Sequence, residues 1–221
     1  GAGTASLVGN HVAGVAGEAV YAWQGPGIFD DARQYARARV VQATAGEIGL
    51  ALLGASGQAI IVAWEGNTGT VLIFWYAGGT PRPALTTAPS TIQPGDLIEA
   101  ELQGGTIYAK VNGSVVASAA NTTSLTTGRP GFQTFLSGGV LDDWEAGTPA
   151  QLSLAGTITD GALPLPGVLV RTSGRVGRTT TTDANGQYLI GDLPSGATAI
   201  RVTPNLAGYT ASPLSRTVAG P

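Results

Sequence analysis

Two clusters of carboxylates are the candidates for acid–base chemistry in this chain. Glu99 and Glu101 stand two residues apart, and Asp142, Asp143 and Glu145 follow one another closely. A retaining glycosidase needs two carboxyl groups about 5 Å apart, and an inverting one needs them about 6.5–9.5 Å apart with a water between. Both clusters fall on segments predicted to be solvent-facing or terminal strands, outside any aromatic-lined cleft. The sequence therefore predicts a protein that is not an enzyme.

The residue types also restrict metal binding. The chain has no cysteine and one histidine, His11, whereas zinc and copper sites normally need several such ligands. Asp142 and Asp143 offer the hard oxygen ligands that calcium prefers. Strand-end solvation or pairing with an arginine is the favoured explanation of these two residues. We therefore expect no cofactor, and if a metal is bound we expect it to be a structural calcium at Asp142 or Asp143.

Aromatic side chains are the candidates for ligand binding. If a hairpin closes with Glu65 opposite Thr70, Trp64 and Trp75 share one face of it and Tyr76 lies on the other. Flat rings of this kind stack against the apolar C–H surface of sugars. Ordinary packing between two layers is the alternative explanation. The candidate ligand-binding residues are Trp64, Trp75, Tyr76 and Tyr108.

The elements that must position these residues are best defined in the segment 97–117. Gly104-Gly105 and Asn112-Gly113 suit two-residue hairpin turns, in which both central positions need a positive φ. The segment is therefore predicted to form three short antiparallel strands.

The first of these turns also predicts a register. One face of the hairpin is apolar, and the other carries Glu101 opposite Tyr108 and Glu99 opposite Lys110. We expect the second face to be exposed to solvent, as on the outer layer of an antiparallel sandwich. An exposed pair of Glu99 with Lys110 would contribute no more than about 1 kcal/mol.

The composition indicates many short strands joined by tight turns. Glycine accounts for 34 of 221 residues, apolar residues for 43% and charged residues for only 11%. A net charge of −3 gives no indication of a basic surface that would bind nucleic acid. No run of residues resembles a membrane-spanning helix. The chain has no methionine, so we expect residue 1 not to be a translation start and the chain to belong to a larger multidomain or assembled structure.

Residues 95–118 (GDLIEAELQGGTIYAKVNGSVVAS), followed by TTGRPGFQTF and LDDWEAG, resemble the concanavalin A-like or laminin G-like jelly-roll domains of bacterial secreted and phage proteins. The segment FDDARQYARARV resembles an early strand of the same family, and the resemblance covers about residues 5–147. It implies an antiparallel jelly-roll sandwich whose lectin-like members bind sugars on a concave surface. Glycosidases of this fold carry carboxylates in an E-x-D-x-E pattern, which is absent here. In related carbohydrate-binding jelly rolls, an aspartate of the final strand often helps to hold calcium.

A second domain is predicted after a boundary near Thr148-Pro149, giving domains 1–147 and 148–221. The segment of about residues 151–219 resembles the carboxypeptidase-regulatory-like and CnaB-like modules of bacterial surface proteins. The matching motifs are PGV, TDANGQY, LPSG and GYT. The resemblance implies a smaller Ig-like or transthyretin-like β-sandwich. CnaB-like modules often carry a Lys–Asn isopeptide bond, which cannot form in a segment without lysine. Asp183 and Asn185 are explained as caps of a turn in which Gly186 takes a positive φ, with calcium ligation as the alternative.

The sequence thus predicts an all-β protein of two tandem sandwiches. The leading interpretation is a non-catalytic binding or adhesion protein of the cell surface, the extracellular space or a virion, with carbohydrate as the candidate ligand. The alternative is a structural subunit of a phage fibre, a decoration protein or a surface filament, whose partners are neighbouring protein subunits. A glycoside hydrolase is the third and least supported reading. No nucleic acid or membrane partner is expected.

Overall fold

The computed structural model of the chain describes residues 4–8, 11–22, 24, 33–44, 46–77, 80–136, 139–149, 152–173, 178–193, 200–211 and 216–218. Within those ranges every regular element is a β-strand and every strand pair is antiparallel, which confirms the all-β prediction. No helix in the described part of the chain is long and apolar enough to cross a membrane. The chain divides into two compact units, residues 1–149 and 150–221, whereas the predicted boundary stood after residue 147.

The described part of the first unit contains thirteen strands: β1 (Thr4–Val8), β2 (His11–Ala16), β3 (Glu18–Ala22), β4 (Gln34–Ala43), β5 (Glu47–Ala55), β6 (Gln58–Glu65), β7 (Thr70–Ala77), β8 (Thr80–Pro89), β9 (Leu97–Gln103), β10 (Thr106–Val111), β11 (Ser114–Ala120), β12 (Arg129–Phe135) and β13 (Gly139–Gly147). Seven of them form one sheet in the order β1-β2-β13-β4-β9-β10-β11, and six form the other in the order β3-β12-β5-β6-β7-β8. Neighbours in space that are distant in sequence are typical of a jelly roll.

The hydrophobic core of the first unit lies between its two sheets. Alternate residues of each strand point into it, as the period of two requires. Ala36 and Ile98 contribute to it from the seven-stranded sheet, and Leu50, Ile60 and Trp64 contribute from the six-stranded sheet. The inner faces of both sheets are therefore used for packing.

The predicted turns and registers are confirmed. Gly104, Gly105, Asn112 and Gly113 all have positive φ, between 50° and 78°. Gln103 pairs with Thr106, and the register of β9 and β10 follows from that pair as expected. The hairpin of β6 and β7 also has the predicted register, starting at Glu65 opposite Thr70.

The prediction that the polar face of β9 and β10 is exposed to solvent is wrong. Glu101, Tyr108 and Lys110 are 0%, 1% and 1% exposed. Sequence alternation correctly identified the face that points away from the core. Alternation cannot tell, however, whether that outer face is covered.

Strand β8 is rich in proline and threonine. Pro81 and Pro89 lie within it and pair with Tyr76 and Thr70 of β7. Strand β8 is the edge of its sheet, and proline is tolerated at an edge because it removes no internal ladder hydrogen bond.

The second unit is also built from short strands in its described residues: β14 (Leu152–Thr157), β15 (Thr159–Asp160), β16 (Leu163–Pro164), β17 (Leu169–Ser173), β18 (Thr179–Thr181), β19 (Gln187–Leu193), β20 (Ile200–Asn205) and β21 (Arg216–Val218). They form the sheets β14-β19, β15-β16 and β18-β17-β20-β21. Val168, Val170, Ile190, Leu193 and Val202 are buried. Residues 194–199, which include most of the LPSG motif, lie outside the described residues, and the resemblance to CnaB-like modules stays a prediction.

Candidate functional site

Trp64 belongs to the core. It is 0% exposed, and its indole Nε1 donates a hydrogen bond to the hydroxyl of Ser90 at 3.3 Å. Its place opposite Val71 in the β6–β7 hairpin turns the ring inward. A ligand at the surface therefore cannot reach the ring of Trp64.

Trp75 and Tyr76 lie on opposite faces of β7, because successive side chains of a strand alternate. Trp75 is half-buried and packs against the core between the sheets. Tyr76 lies on the outer face of the six-stranded sheet, where it packs beside Phe74, Ala59 and Ile61.

Tyr108 lies on the outer face of the other sheet, beside the buried ion pairs of β9 and β10. Lys110 Nζ donates to Glu99 Oε1 at 2.8 Å and also contacts Glu101 Oε2. The burial of Tyr108 removes its ring from the surface. The structure therefore does not bring the four predicted aromatics together, since they are distributed over the core and two outer faces.

The outer face of the six-stranded sheet contains an open depression of about 400 Å³ near the turn between β5 and β6. Tyr76 is the one predicted ligand-binding residue that lines it. The full lining consists of Val20, Ala22, Gln24, Gly54, Ala55, Ser56, Gly57, Gln58 and Tyr76. The lining contains carboxamides, a hydroxyl and a phenol ring, but no charged side chain. Such groups can donate and accept hydrogen bonds with neutral hydroxyl groups while the ring covers an apolar surface.

Sequence reasoning identified Tyr76 but missed Gln24, Ser56 and Gln58. The signal available for two of them was the Ser56-Gly57 dipeptide between two apolar runs. Both residues take positive φ, 49° and 77°, as a two-residue hairpin turn requires. Ser56 and Gly57 are exposed at the rim of the depression.

A β-bulge fixes the position of this turn. Leu53 has a φ of 52°, and the pairing of β5 with β6 shifts register between Leu52 and Ala55. The buried side chain of Gln34 holds the bulge, because its Oε1 accepts from Leu53 N at 3.0 Å and its Nε2 donates to the carbonyl of Gly128 at 2.6 Å. A polar residue buried in the core thus positions the rim of the depression.

An exposed ion-pair cluster lies on the outer face of the seven-stranded sheet. Arg37 Nη2 lies 2.8 Å from Glu145 Oε2, and the Tyr35 hydroxyl donates to Glu145 Oε1 at 2.6 Å. The hydrogen bond from Tyr35, and after it in size the one from Arg37, hold the pKa of Glu145 below its usual range. Burial, and to a lesser extent the hydrogen bond to Glu145, raises the pKa of Tyr35 to about 12. Glu145, one of the candidate acids, is therefore held as a carboxylate by its neighbours.

Asp142 and Asp143, the predicted calcium ligands, lie at a second bulge, in β13. Asp143 has a φ of 49°, and its carboxylate lies 3.6 Å from Arg39 Nε. Asp142 Oδ1 accepts a hydrogen bond from the Asp143 backbone at 2.8 Å. The arginine pairing that the sequence allowed as an alternative is thus present. Across the described ranges, no three His, Cys, Asp or Glu residues are grouped closely enough to hold a metal, and calcium at these residues stays a prediction.

Asp183 caps a turn in the second unit. Its Oδ1 accepts from the backbone nitrogens of Asn185 and Gln187, both at 2.8 Å, and Gly186 has a φ of 69°. The turn explanation of this motif is confirmed.

Sequence reasoning also missed a pair of glutamates, Glu47 and Glu65, which stand opposite each other on β5 and β6. Burial raises the pKa of Glu47, while a hydrogen bond from Gln133 acts against that rise. Counting back from the Ser56-Gly57 turn places Glu47 opposite Gly66. The bulge at Leu53 shifts the register of β5 against β6 by one residue. No local feature of the sequence predicts this bulge.

Neither a protein-family model nor a curated protein matches this chain. Among solved structures, the chain is similar to a carbohydrate-binding module, CBM66, from Bacillus subtilis, with a TM-score of 0.56 and 12% identity over 66% of this chain and 92% of that one. It is also similar to a protein of unknown function with a galectin-like fold from Bacillus subtilis, with a TM-score of 0.51 and 14% identity over 66% and 86% of the two chains. A β-glucanase from Bacillus licheniformis has a TM-score of 0.41 at 13% identity over 63% and 71%, which is too low to carry an argument. At these identities the comparisons show the fold alone, a jelly-roll β-sandwich.

Proposed function

We propose that the first unit is a non-catalytic carbohydrate-binding module and that its ligand binds in the depression beside Tyr76. The observation that carries this proposal is the lining of the depression, where neutral carboxamide and hydroxyl groups surround a partly exposed aromatic ring. A sugar presents alternating hydroxyl groups and C–H surface, and this lining offers a partner for each. An anionic or cationic ligand would lack a countercharge there.

The fold comparison supports the same class of ligand. The solved structure of CBM66 is that of a carbohydrate-binding module by its name, and its jelly roll is similar to this one over 92% of its own chain. The likeness extends to the fold only.

The absence of catalysis is part of the proposal and rests on the carboxylates. Glu99 and Glu101 are engaged by Lys110, and Glu145 is engaged by Tyr35 and Arg37. A glycosidase needs one carboxyl free to donate a proton and another free to attack or to activate water. None of these carboxylates borders the depression.

A sugar-binding module of this kind would act where polysaccharides or glycans are displayed. We therefore propose that the chain acts outside the cell or on a virion surface, as part of a larger assembly. Immunogold labelling of thin sections of cells, and of particles, from the source tests this location, and labelling confined to the cytoplasm would refute it.

The binding proposal is tested by screening the full chain on a glycan and polysaccharide array and titrating the best ligand by calorimetry. Tyr76→Ala should weaken binding roughly tenfold, equivalent to about 1.4 kcal/mol, because it removes the stacking surface. Gln58→Ala should weaken binding through a lost hydrogen bond.

Gln93→Ala is the matched control for the carboxamide. Gln93 is exposed and follows β8 at the end where Pro89 pairs with Thr70, away from Tyr76. Equal affinities for the wild type and Tyr76→Ala, or a lack of any binding on the array, would contradict the proposal.

A further inference from the structure

The hairpin turn at the rim of the depression begins with a residue that is unfavourable there. The first position of a two-residue turn needs a positive φ, which glycine adopts freely and asparagine tolerates. The other two turns of this kind that the structure describes in the first unit begin with Gly104 (φ 56°) and Asn112 (φ 50°). The turn between β5 and β6 begins with Ser56 (φ 49°). A serine in this conformation costs free energy, so its presence needs an explanation.

No contact of the Ser56 side chain within the protein supplies that explanation. At the same position of another turn, Asn112 Oδ1 accepts from Leu97 N at 2.9 Å and Asn112 Nδ2 donates to Asp96 Oδ1 at 2.7 Å. The side chain of Asn112 therefore has a structural role. The side chain of Ser56 is exposed, and among the described residues it has no hydrogen-bond partner. Its hydroxyl group is available to a ligand.

A second polar side chain borders the same turn. Gln58 follows the turn directly, pairs with Ala55 across the hairpin and lines the depression together with Ser56. Within the part of the chain that the structure describes, its carboxamide also has no partner. A hydroxyl group and a carboxamide can each donate and accept a hydrogen bond. Two neighbouring groups of this kind match two adjacent hydroxyl groups of a sugar ring, and neither of them favours a charged ligand.

We propose that Ser56 determines the specificity of the depression. Its hydroxyl group binds one hydroxyl group of a neutral sugar, and the carboxamide of Gln58 binds the adjacent hydroxyl group of the same ring. The inference rests on the proposed sugar-binding function and adds the class of ligand, a neutral sugar with two adjacent free hydroxyl groups. The unfavourable backbone conformation is kept at Ser56 because glycine, which would relieve it, has no hydroxyl group to offer.

Thermal unfolding of the full chain without any sugar tests the first half of this inference. Ser56→Gly should raise the unfolding midpoint of the first unit by about 2–4 °C, because glycine adopts the positive φ freely and no hydrogen bond is lost. Asn112→Gly is the matched control at the same position of another turn. It should leave the midpoint unchanged or lower it, because the bonds to Leu97 and Asp96 are lost.

Calorimetry tests the second half, with the methyl glycoside of the monosaccharide that the array identifies as the probe. Ser56→Gly and Ser56→Ala should each weaken binding by about threefold to tenfold, the effect of losing one neutral hydrogen bond. Ser56→Ala keeps a side chain at the turn, so it separates the loss of the hydroxyl group from the relief of the backbone. Ser114→Ala is the control, because Ser114 is exposed beside the turn between β10 and β11, in the other sheet. Its affinity should equal that of the wild type.

Monodeoxy derivatives of the same glycoside identify the hydroxyl group that Ser56 contacts. One derivative should bind the wild type more weakly than the parent glycoside does, yet bind Ser56→Ala as tightly as the parent does, because the partner of the missing hydroxyl group is already gone. A second derivative should behave in the same way with Gln58→Ala. The two missing hydroxyl groups should be neighbours on the ring.

The inference is overturned if Ser56→Gly lowers the unfolding midpoint, if Ser56→Ala binds the glycoside as tightly as the wild type, or if every deoxy derivative loses the same affinity with Ser56→Ala as with the wild type. Tyr76→Ala separates this failure from that of the binding proposal. Binding that Tyr76→Ala weakens and Ser56→Ala leaves unchanged would overturn only the role of Ser56. A wild type that binds no sugar would overturn both.

Discussion

At the scale of single residues, the sequence predicted the face of a strand on which a side chain lies, but it did not predict whether that side chain is buried. Alternation on β9 and β10 correctly placed Glu101, Tyr108 and Lys110 on the face opposite the core. It could not predict that these side chains are buried, because burial depends on contacts with residues that are distant in the sequence. The same limit applies to Trp64, whose type and spacing fit a stacking platform as well as they fit a core.

Lys110 is the only lysine of the chain, and it is buried with two glutamates. Replacing it with methionine should lower the free energy of unfolding by about 3–5 kcal/mol, because the buried carboxylate of Glu101 would lose the Lys110 ammonium group. Urea unfolding measures the difference. Arg37→Met is the control, since its exposed pair with Glu145 should contribute about 1 kcal/mol or less. Similar losses of unfolding free energy in the two variants would contradict the expectation that the buried ion pair of Lys110 contributes more to stability than the exposed one of Arg37.

The raised pKa of Glu47 predicts a pH-dependent stability. A carboxyl whose pKa is higher in the folded than in the unfolded chain binds its proton more tightly when folded, so the protein gains stability as the pH falls through that folded-state pKa. Glu47→Gln should therefore be more stable than the wild type at pH 7, by less than about 1 kcal/mol because Glu47 is only half-buried. The advantage should shrink as the pH is lowered.

Urea unfolding at several pH values between 7 and 4 measures this difference. The interpretation fails if Glu47→Gln is less stable than the wild type at pH 7, or if its advantage grows toward acid.

At the scale of elements, registers set by short turns were predictable and bulges were not. Gly104-Gly105 and the Glu65–Thr70 pair each define their hairpin from local sequence. The β5–β6 hairpin has an equally clear turn, yet the bulge at Leu53 shifts its register. That bulge depends on Gln34, which is distant in sequence, so no local pattern could reveal it. The Glu47–Glu65 pair was missed for this reason.

Gln34 should be essential to the bulge. In Gln34→Leu, the amide of Leu53 and the carbonyl of Gly128 lose their partner inside the core. Each buried group left unsatisfied costs about 1–3 kcal/mol, so the loss of both partners should lower the free energy of unfolding by about 2–6 kcal/mol. Chemical denaturation measures the loss, and the exposed Gln93→Leu is the control. A loss below about 0.5 kcal/mol, the usual range for surface substitutions, would refute this role of Gln34.

At the scale of the whole molecule, the strand order follows from contacts between distant segments. Strand β13 lies between β2 and β4, and β12 lies between β3 and β5. Such an order cannot be derived from periodicity, and the resemblance of residues 95–118 to jelly-roll domains predicted only the class of fold. The likeness to the solved jelly rolls covers 66% of the chain and leaves the identity of the smaller second unit as a prediction.

The two units should fold independently. Residues 1–149 form a compact unit with its own core between two sheets, so this fragment should show a cooperative unfolding transition when it is expressed alone. Circular dichroism with thermal unfolding, compared with the full chain, measures this. A fragment 1–149 that stays unfolded while the full chain folds would contradict the two-domain organisation.

Mapping the bound sugar by NMR tests the central claim most directly, because it locates the site as well as the binding. The ¹H–¹⁵N spectrum of the full chain would be titrated with the best sugar from the array. The account predicts that the largest amide shift changes cluster at Gln24, Ser56, Gly57, Gln58 and Tyr76, and that Tyr76→Ala needs roughly tenfold more sugar to produce them. Shift changes concentrated around Tyr35, Arg37 and Glu145, or in the second unit, would contradict it, as would a spectrum that no sugar changes.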